Sequence, residues 1–396
     1  MADRKNSEAD RPTTQSADAT DATESTAMEA RLDRRHLLLA SVGATAAACA
    51  PSGSDSGPAV QTGKRITWRL ASSFPRSLDT IYGGAETLAE VVETLSGGRF
   101  RIIPYPAGEI VPGLQVLDAV QAGTVQVGHT ASYYYIGKNP ALAFDTAMPF
   151  GLSARQQGAW LAGEGGELMN SLFADFGVRA FPCGNTGCQM GGWFRDQVAT
   201  MSDLRGLKMR IPGLGASVMS ELGVTVQAIA GGETYQALER GAVDAAEWVG
   251  PYDDEKLGFQ KIAKNYYYPG WWEPGPGLSA LVGQKAWDEL PAEYKEIFKV
   301  AAAVANQTMQ NKYDALNPPA LTKIREGGVV LRRFSDEIMA AAQTASRDLM
   351  SADAAKDPAY RKIHDAWNRY REESHRWFAS AELAFTRFEL GPFSAD

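Results

Sequence analysis

Cysteine and histidine are scarce in this chain: three of the first and four of the second in 396 residues. Beyond residue 49 only Cys183 and Cys188 could pair. On one extended strand they would stand ~17 Å apart, past disulfide reach, so buried free thiols are expected. The histidines, His36, His129, His364 and His375, are scattered, and no Cys/His cluster has zinc spacing. Past residue 49 no apolar run approaches the ~18 residues of a membrane-spanning helix. Basic excess is also lacking. Residues 1–49 hold six Lys/Arg and eight Asp/Glu, which leaves 33 basic against 39 acidic residues, about −6, in the remainder. That balance disfavours nucleic acid or anionic lipid as a partner. A phosphate loop is excluded, because five residues separate Gly57 from Gly63-Lys64 and Arg65 follows where Ser or Thr is needed. There is no Gly-x-Ser-x-Gly elbow for a nucleophilic serine either.

What is present begins with the leader. RLDRRHLLL (31–39) resembles a twin-arginine export signal: Arg34 and Arg35 precede an uncharged, Ala-rich segment of ~12 residues, 37–48, too short to span a bilayer. The first 30 residues are rich in Asp, Thr, Ser and Ala, the composition of a disordered segment. AAAC (46–49) resembles a lipoprotein cleavage box, and residues 50–64 read as a linker. Lipid on Cys49 would anchor the chain to a membrane surface. Ala46 stands where that box usually has Leu, so cleavage within the small-residue run is the alternative. Periplasmic location after twin-arginine export is expected in either case.

About 347 residues follow residue 49, enough for two lobes with their own cores. Strand-like alternation at 66–71, 99–103 and 125–130 is interleaved with helical periodicity at 82–95 and 114–122. The pattern repeats with strands at 178–182, 189–194, 224–228 and 242–248 and helices at 215–222 and 233–239. Residues 202–210 read as a short helix, a turn and a strand, and long amphipathic helices are predicted at 291–309 and 360–388. Such alternation specifies βαβ units and mainly parallel sheets, with ligands held beyond the carboxyl ends of the strands. The expected fold is α/β: a two-lobed clamp with hinge strands and a long C-terminal helix. Lobe I takes 65–183 and 269–315, lobe II 184–268 and 316–350, and the helix and tail 351–396.

Two motifs identify the order of elements: LRGLKMRIP (204–212) and ETYQALERGAVDAAEW (233–248). Together they resemble the substrate-binding proteins of TRAP transporters, the DctP family, over residues 65–390. NTGCQMGGWF (185–194) and the pair Glu247-Trp248 are similar to the subgroup that binds 2-oxo or 2-hydroxy monocarboxylates with a metal ion. Cys188 stands where that subgroup is expected to have Ala.

Each candidate residue also has a chemical reading of its own. Arg210, ending a strand before Pro212, offers a planar, permanently charged fork for a carboxylate, which Lys does not. Glu247 lies in an apolar strand, where an unpaired charge is prohibitive, so it requires Arg210 or a bound cation. Gln189 can give an oxygen to a cation or an N–H to a ligand. The resemblance implies a metal held by Glu247, the backbone oxygen of Trp248, Gln189 and the ligand carboxylate; an all-oxygen shell suits Na⁺ or Ca²⁺. It further implies that Glu273, in the loop WWEPG (271–275), touches the ligand's keto or hydroxyl group. Tyr133, first of three tyrosines after the third strand, is the choice for an aromatic wall, its neighbours being assigned to packing. Asp253-Asp254-Glu255 reads as the solvated start of a helix.

The expected function is a receptor, not an enzyme: capture of a small organic acid for delivery to TRAP membrane permease subunits. A secreted metal-dependent enzyme acting on carboxylates is the alternative, and it would need a positioned acid or base outside the metal shell. The stripe Ile363, Trp367, Tyr370, Trp377 and Leu383 either covers its own lobes or forms a homodimer, and the resemblance implies exchange of such helices between partners.

Overall fold

The structure, a computed structural model, describes residues 64–391. The twin-arginine segment, Cys49 and most of the linker lie outside them. The described residues form two mixed sheets with helices around them.

The first sheet contains β1 (Ile66–Ser72), β2 (Phe100–Tyr105), β3 (Val127–Thr130) and β4 (Val178–Asn185). Its order is β2-β1-β3-β10-β4, where β10 is Gly277–Gly283. β1 runs parallel to β2 and β3, as the βαβ pattern requires, while β10 is antiparallel to both its neighbours. The second sheet is built from β5 (Trp193–Phe194), β6 (Lys208–Arg210), β7 (Thr225–Gln227), β8 (Ala245–Ala246), β9 (Asn265–Tyr268) and β11 (Val330–Arg333). Its order is β11-β9-β5-β8-β6-β7, with β5 antiparallel to β8 and β9. The sheets are therefore less uniformly parallel than the alternation implied. Each strand that arrives straight from the other sheet, β5 or β10, enters antiparallel.

Several predicted strands are shorter in the structure. Only Ala245 and Ala246 of 242–248 pair, and only Trp193 and Phe194 of 189–194. Their remaining residues are released into loops at the site. The chain passes between sheets after β4, after β9 and along the 35-residue helix Ala292–Glu326. At 1.5 Å per residue that helix is about 52 Å long. It packs on helix Gly83–Leu95 and β4 at one end and on helix Pro251–Leu257 at the other. The sequence reading stopped this helix at 309, but it continues through Pro318 and Pro319. Each proline deletes a main-chain N–H and costs a helix about 3 kcal/mol. Burial of Tyr313, Ala320 and Ile324 on either side of the pair offsets that cost.

The C-terminal helix Pro358–Phe378 buries Ile363 and Trp367 against its own chain, with Trp367 packed edge-on against Phe144. A five-residue π turn, Ala379–Leu383, and helix Ala384–Leu390 follow. From Trp377 onward the apolar side chains face out: Trp377 is 65 % exposed, Phe385 68 % and Phe388 87 %. The predicted stripe thus divides, its first half covering the body and its second half uncovered. Among the described residues no helix is long and apolar enough to cross a membrane.

Candidate ligand site between the two sheets

β6 and β8 are parallel neighbours, and their register sets Arg210 beside Ala246. The next residue, Glu247, donates its backbone N–H to Arg210 O at 3.2 Å. The strand pair thereby delivers a guanidinium and a carboxylate to one point at its carboxyl end. Arg210 Nη1 donates to the Glu247 carboxylate and, at 2.7 Å, to the Glu247 backbone oxygen; Nε donates to Ile229 O at 3.0 Å. Both residues are 1 % exposed. Trp248 lies with its ring 5.0 Å from the guanidinium, a cation–π contact, and meets Phe74 edge-on at 6.5 Å.

The opposite wall comes from two loops laced together. Gln189 N–H donates to Glu273 O at 3.1 Å and Gly270 N–H to Gln189 O at 3.0 Å. A Cβ on Gly270 would stand 2.6 Å from the backbone oxygens of Gln189 and Met190, so the loops close this tightly only with glycine there. Gly192 has φ +83°, and a side chain on it would press on Ala246 O and the Glu247 backbone. It fits the left-handed region that glycine enters without strain. The Gln189 amide is held by its N–H to Thr186 Oγ1 at 3.0 Å, which turns its oxygen free.

A small enclosed cavity is lined by Tyr133, Tyr134, Gln189, Arg210, Trp248 and Phe74, among others. Of the sequence-derived candidates, Gln189, Arg210, Trp248 and Tyr133 line this cavity, while Glu247 is joined to it through Arg210 and Glu273 through the Gln189 backbone. Sequence reasoning missed Phe74, Thr186 and Tyr134. Phe74 lies two residues past β1, at the carboxyl end where ligand contacts gather, and that position could have found it. Tyr134 was assigned to packing although it faces the same cavity as Tyr133.

The electrostatics are those of a site short of positive charge. Burial pushes Glu247 up to about 8 against the pull of Arg210. Glu273 is held well above the usual carboxylate range, first by burial and then by the Glu247 charge. Glu247 Oε2, Gln189 Oε1 and Glu273 Oε2 are all buried without a hydrogen-bond partner. Orphaned oxygens of this kind are rare and costly in protein interiors. No three His, Cys, Asp or Glu side chains group as a metal site among the described residues. The set here is of another type: one carboxylate, one amide oxygen and a neighbouring second carboxylate, all hard oxygen donors.

Arg210 meets one expectation only in part. With Nε and Nη1 already engaged, just the Nη2 protons lack an acceptor among the described residues. A two-pronged grip on a ligand carboxylate must share Nη1 with Glu247. The acidic run after Trp248 is a correction as well. Asp253 and Asp254 are buried, not solvated. Asp254 accepts from Trp193 Nε1 at 2.9 Å, Tyr266 OH at 2.7 Å and Val249 N–H at 3.2 Å, and Asp253 accepts from Tyr313 OH at 2.7 Å. Of the two cysteines Cys183 is buried as expected, whereas Cys188 is exposed; neither forms a disulfide.

Two mixed α/β sheets facing a buried, charged cleft, with the chain passing between them three times, define a two-lobed solute-binding clamp. Residues 71–357 match bacterial extracellular solute-binding protein family 7, DctP, and the chain belongs to that family. It is 57 % identical over 331 residues, 83 % of this chain and 91 % of the relative, to a monocarboxylate 2-oxoacid-binding periplasmic protein of Nostoc sp. strain PCC 7120. A TRAP transporter solute-binding protein of Bordetella bronchiseptica superposes with a TM-score of 0.82 at 44 % identity, covering 83 % of this chain and 98 % of that one. That protein is a mixed-occupancy dimer with copurified calcium and picolinate in one site and an apo second site. A TRAP periplasmic solute-binding protein of Pseudoalteromonas atlantica, with bound sodium and pyruvate, gives a TM-score of 0.80 at 39 % identity over 84 % of this chain and all of its own.

Proposed function

We propose that this protein is the extracytoplasmic receptor of a TRAP transporter, taking a small 2-oxo or 2-hydroxy monocarboxylate together with Na⁺ or Ca²⁺ and passing the acid to the membrane permease. The observation that carries this reading is the set of three buried, unpartnered oxygens beside Arg210. One guanidinium is too little to ionise Glu247 and Glu273 beside an incoming carboxylate, and a hard cation supplies the positive charge that lets Glu247 ionise. Glu247 and Gln189 are the side chains to hold it, with the Trp248 backbone oxygen; Glu273 and Tyr133 meet the keto or hydroxyl group. A cation that takes the Glu247 charge also relieves Arg210 Nη1, which then becomes the second prong on the ligand carboxylate. The cations and acids found in the similar receptors support this assignment.

Export through the twin-arginine signal, a lipid on Cys49, lobe boundaries at 183/184, 268/269 and 315/316, and a homodimer through the C-terminal helix belong to the same reading. The deciding experiment is a thermal-shift screen of 2-oxo and 2-hydroxy acids in Na⁺, Ca²⁺ or a chelator. A ligand that binds only the folded state raises the melting temperature by mass action. Pyruvate or a homologue should do so, and more strongly with the cation. No response from any monocarboxylate overturns the reading.

A further inference from the structure

The short helix Pro251–Leu257 begins three residues after Trp248 and has two working faces. Its inner face carries Asp253 and Asp254, whose buried carboxylates fasten it to β5, β9 and the long interlobe helix. Asp254 also accepts the Val249 N–H, next to Trp248, so the helix is tied to the segment that ends in the Glu247-Trp248 pair. Its outer face carries Tyr252 and Lys256, one turn apart and therefore side by side. Lys256 Nζ stands 4.0 Å over the Tyr252 ring.

Both outer side chains converge on one carboxylate from the other sheet's side of the cleft. Asp79 lies in the turn after β1 of the first sheet. It pairs with Lys256 Nζ, and Tyr252 OH donates to its two oxygens at 3.3 and 3.2 Å. The Tyr252 backbone N–H donates to Asn317 Oδ1 of the long helix at 3.1 Å, which ties the start of the short helix to that element. Asp79 and Lys256 are separated by 177 residues, Asp79 in the turn after β1 of the first sheet and Lys256 on the helix fastened to β5 and β9 of the second. A contact of this kind exists when the sheets stand as they do here and breaks if the cleft opens.

We propose that Asp79 is a positioning residue for ligand retention: its clasp on Tyr252 and Lys256 holds the cleft shut at the rim and sets the rate at which bound acid escapes. This rests on the receptor reading above. The clasp lies outside the ligand cavity, so it acts on the lifetime of the closed state and not on recognition. Interactions formed after ligand entry slow dissociation and leave association unchanged. The helix that bears Tyr252 and Lys256 is bolted to the Trp248 segment, which makes ordering of that segment by ligand and formation of the clasp one event.

Stopped-flow tryptophan fluorescence on the whole receptor, with pyruvate as probe in saturating Ca²⁺, tests this. Asp79→Asn and Lys256→Gln should each raise koff about two- to fivefold, the strength of a partly exposed ion pair, with kon unchanged. The double variant should exceed neither single one. Half-molar KCl should bring wild-type koff up to the variants' value and leave theirs where it is, because screening acts only on an intact pair. The exchanged pair Asp79→Lys with Lys256→Asp should dissociate more slowly than Asp79→Lys alone. Unchanged koff in Asp79→Asn, or a fall in kon with equal koff, overturns the clasp while the receptor reading stands. A wild-type protein with no response to pyruvate or to any other 2-oxo or 2-hydroxy monocarboxylate overturns both.

Discussion

At the scale of single residues the site depends on one guanidinium serving two carboxylates. Arg210 already gives Nη1 to Glu247 and Nε to Ile229 O, so a ligand carboxylate competes for the same fork. Arg210→Lys keeps the charge and loses the fork. By calorimetry pyruvate affinity should fall by about 1.5–3 kcal/mol, the range for charge-assisted hydrogen bonds. Unchanged affinity would take Arg210 out of the site. Glu247→Gln separates the two accounts of its carboxylate. If Glu247 holds a cation, the amide should weaken pyruvate binding and erase its dependence on Na⁺ or Ca²⁺, since metal and ligand must couple reciprocally. If it serves Arg210 alone, the amide would free Nη1, and affinity would hold or rise without regard to the cation.

At the scale of elements, buried carboxylates brace the walls of the cleft. Asp145, in the short helix Ala143–Thr146, accepts from Ser132 Oγ, at the start of the tyrosine turn, and from Ser279 Oγ of β10 at 2.7 Å. Burial holds its carboxyl above the ordinary aspartate value of 3.8, although both serines pull it back. A folded-state pKa above the unfolded one means that the folded chain binds the proton more tightly. The stabilisation from that proton is complete below the unfolded pKa and is lost as pH rises through the folded one. Asp145→Asn keeps an acceptor oxygen and removes the titration. The melting temperature of wild type should therefore decline relative to Asp145→Asn as pH is raised from about 4 towards neutrality. A constant gap across that interval would show that Asp145 titrates alike in both states. The same physics holds helix Pro251–Leu257, where Asp253 is pushed to about 7 and Asp254 to about 6, chiefly by burial.

At the scale of the whole molecule, one set of large apolar side chains is exposed among the described residues. Trp377, Leu383, Phe385, Phe388 and Leu390 are exposed on consecutive turns of the C-terminal helix and its extension. Exposed large apolar side chains gathered on one element mark association sites. A self-complementary helix–helix contact about a twofold axis is the simplest closed arrangement. Sedimentation velocity should find a dimer. Phe385→Glu combined with Phe388→Glu should convert it to a monomer that still responds to pyruvate, because neither side chain lies near the cavity. A dimer that survives both charges would place its interface elsewhere.

Short-range chemistry in the sequence was enough for β1 to β4, the strands and helices between Trp193 and Trp248, the positions of Arg210 and Glu247-Trp248, and the clamp fold, but not for β9, β10, β11 or the helices Ala154–Leu161, Glu164–Ala174 and Asp336–Lys356. Glycines and prolines mark turns locally, periodicity of two or 3.6 marks strands and helices, and the two diagnostic motifs are contiguous. It also sufficed to say that Glu247 needs a positive partner, because an apolar strand surrounds it. Burial of a polar group whose partners are distant in sequence was not legible in the same way. Asp253 and Asp254 sit in a string that looks solvated, and only the folded chain supplies Tyr313, Trp193 and Tyr266 as their donors. The long helix likewise passes Pro318-Pro319 because tertiary packing outweighs a local penalty that sequence reading treats as a stop. The place of Tyr134 at the cavity and the rim contact of Asp79 with Lys256 depend on how the two sheets face each other across the cleft. Local propensity cannot encode that: such contacts join residues far apart along the chain, and their energy appears only once both surfaces have formed.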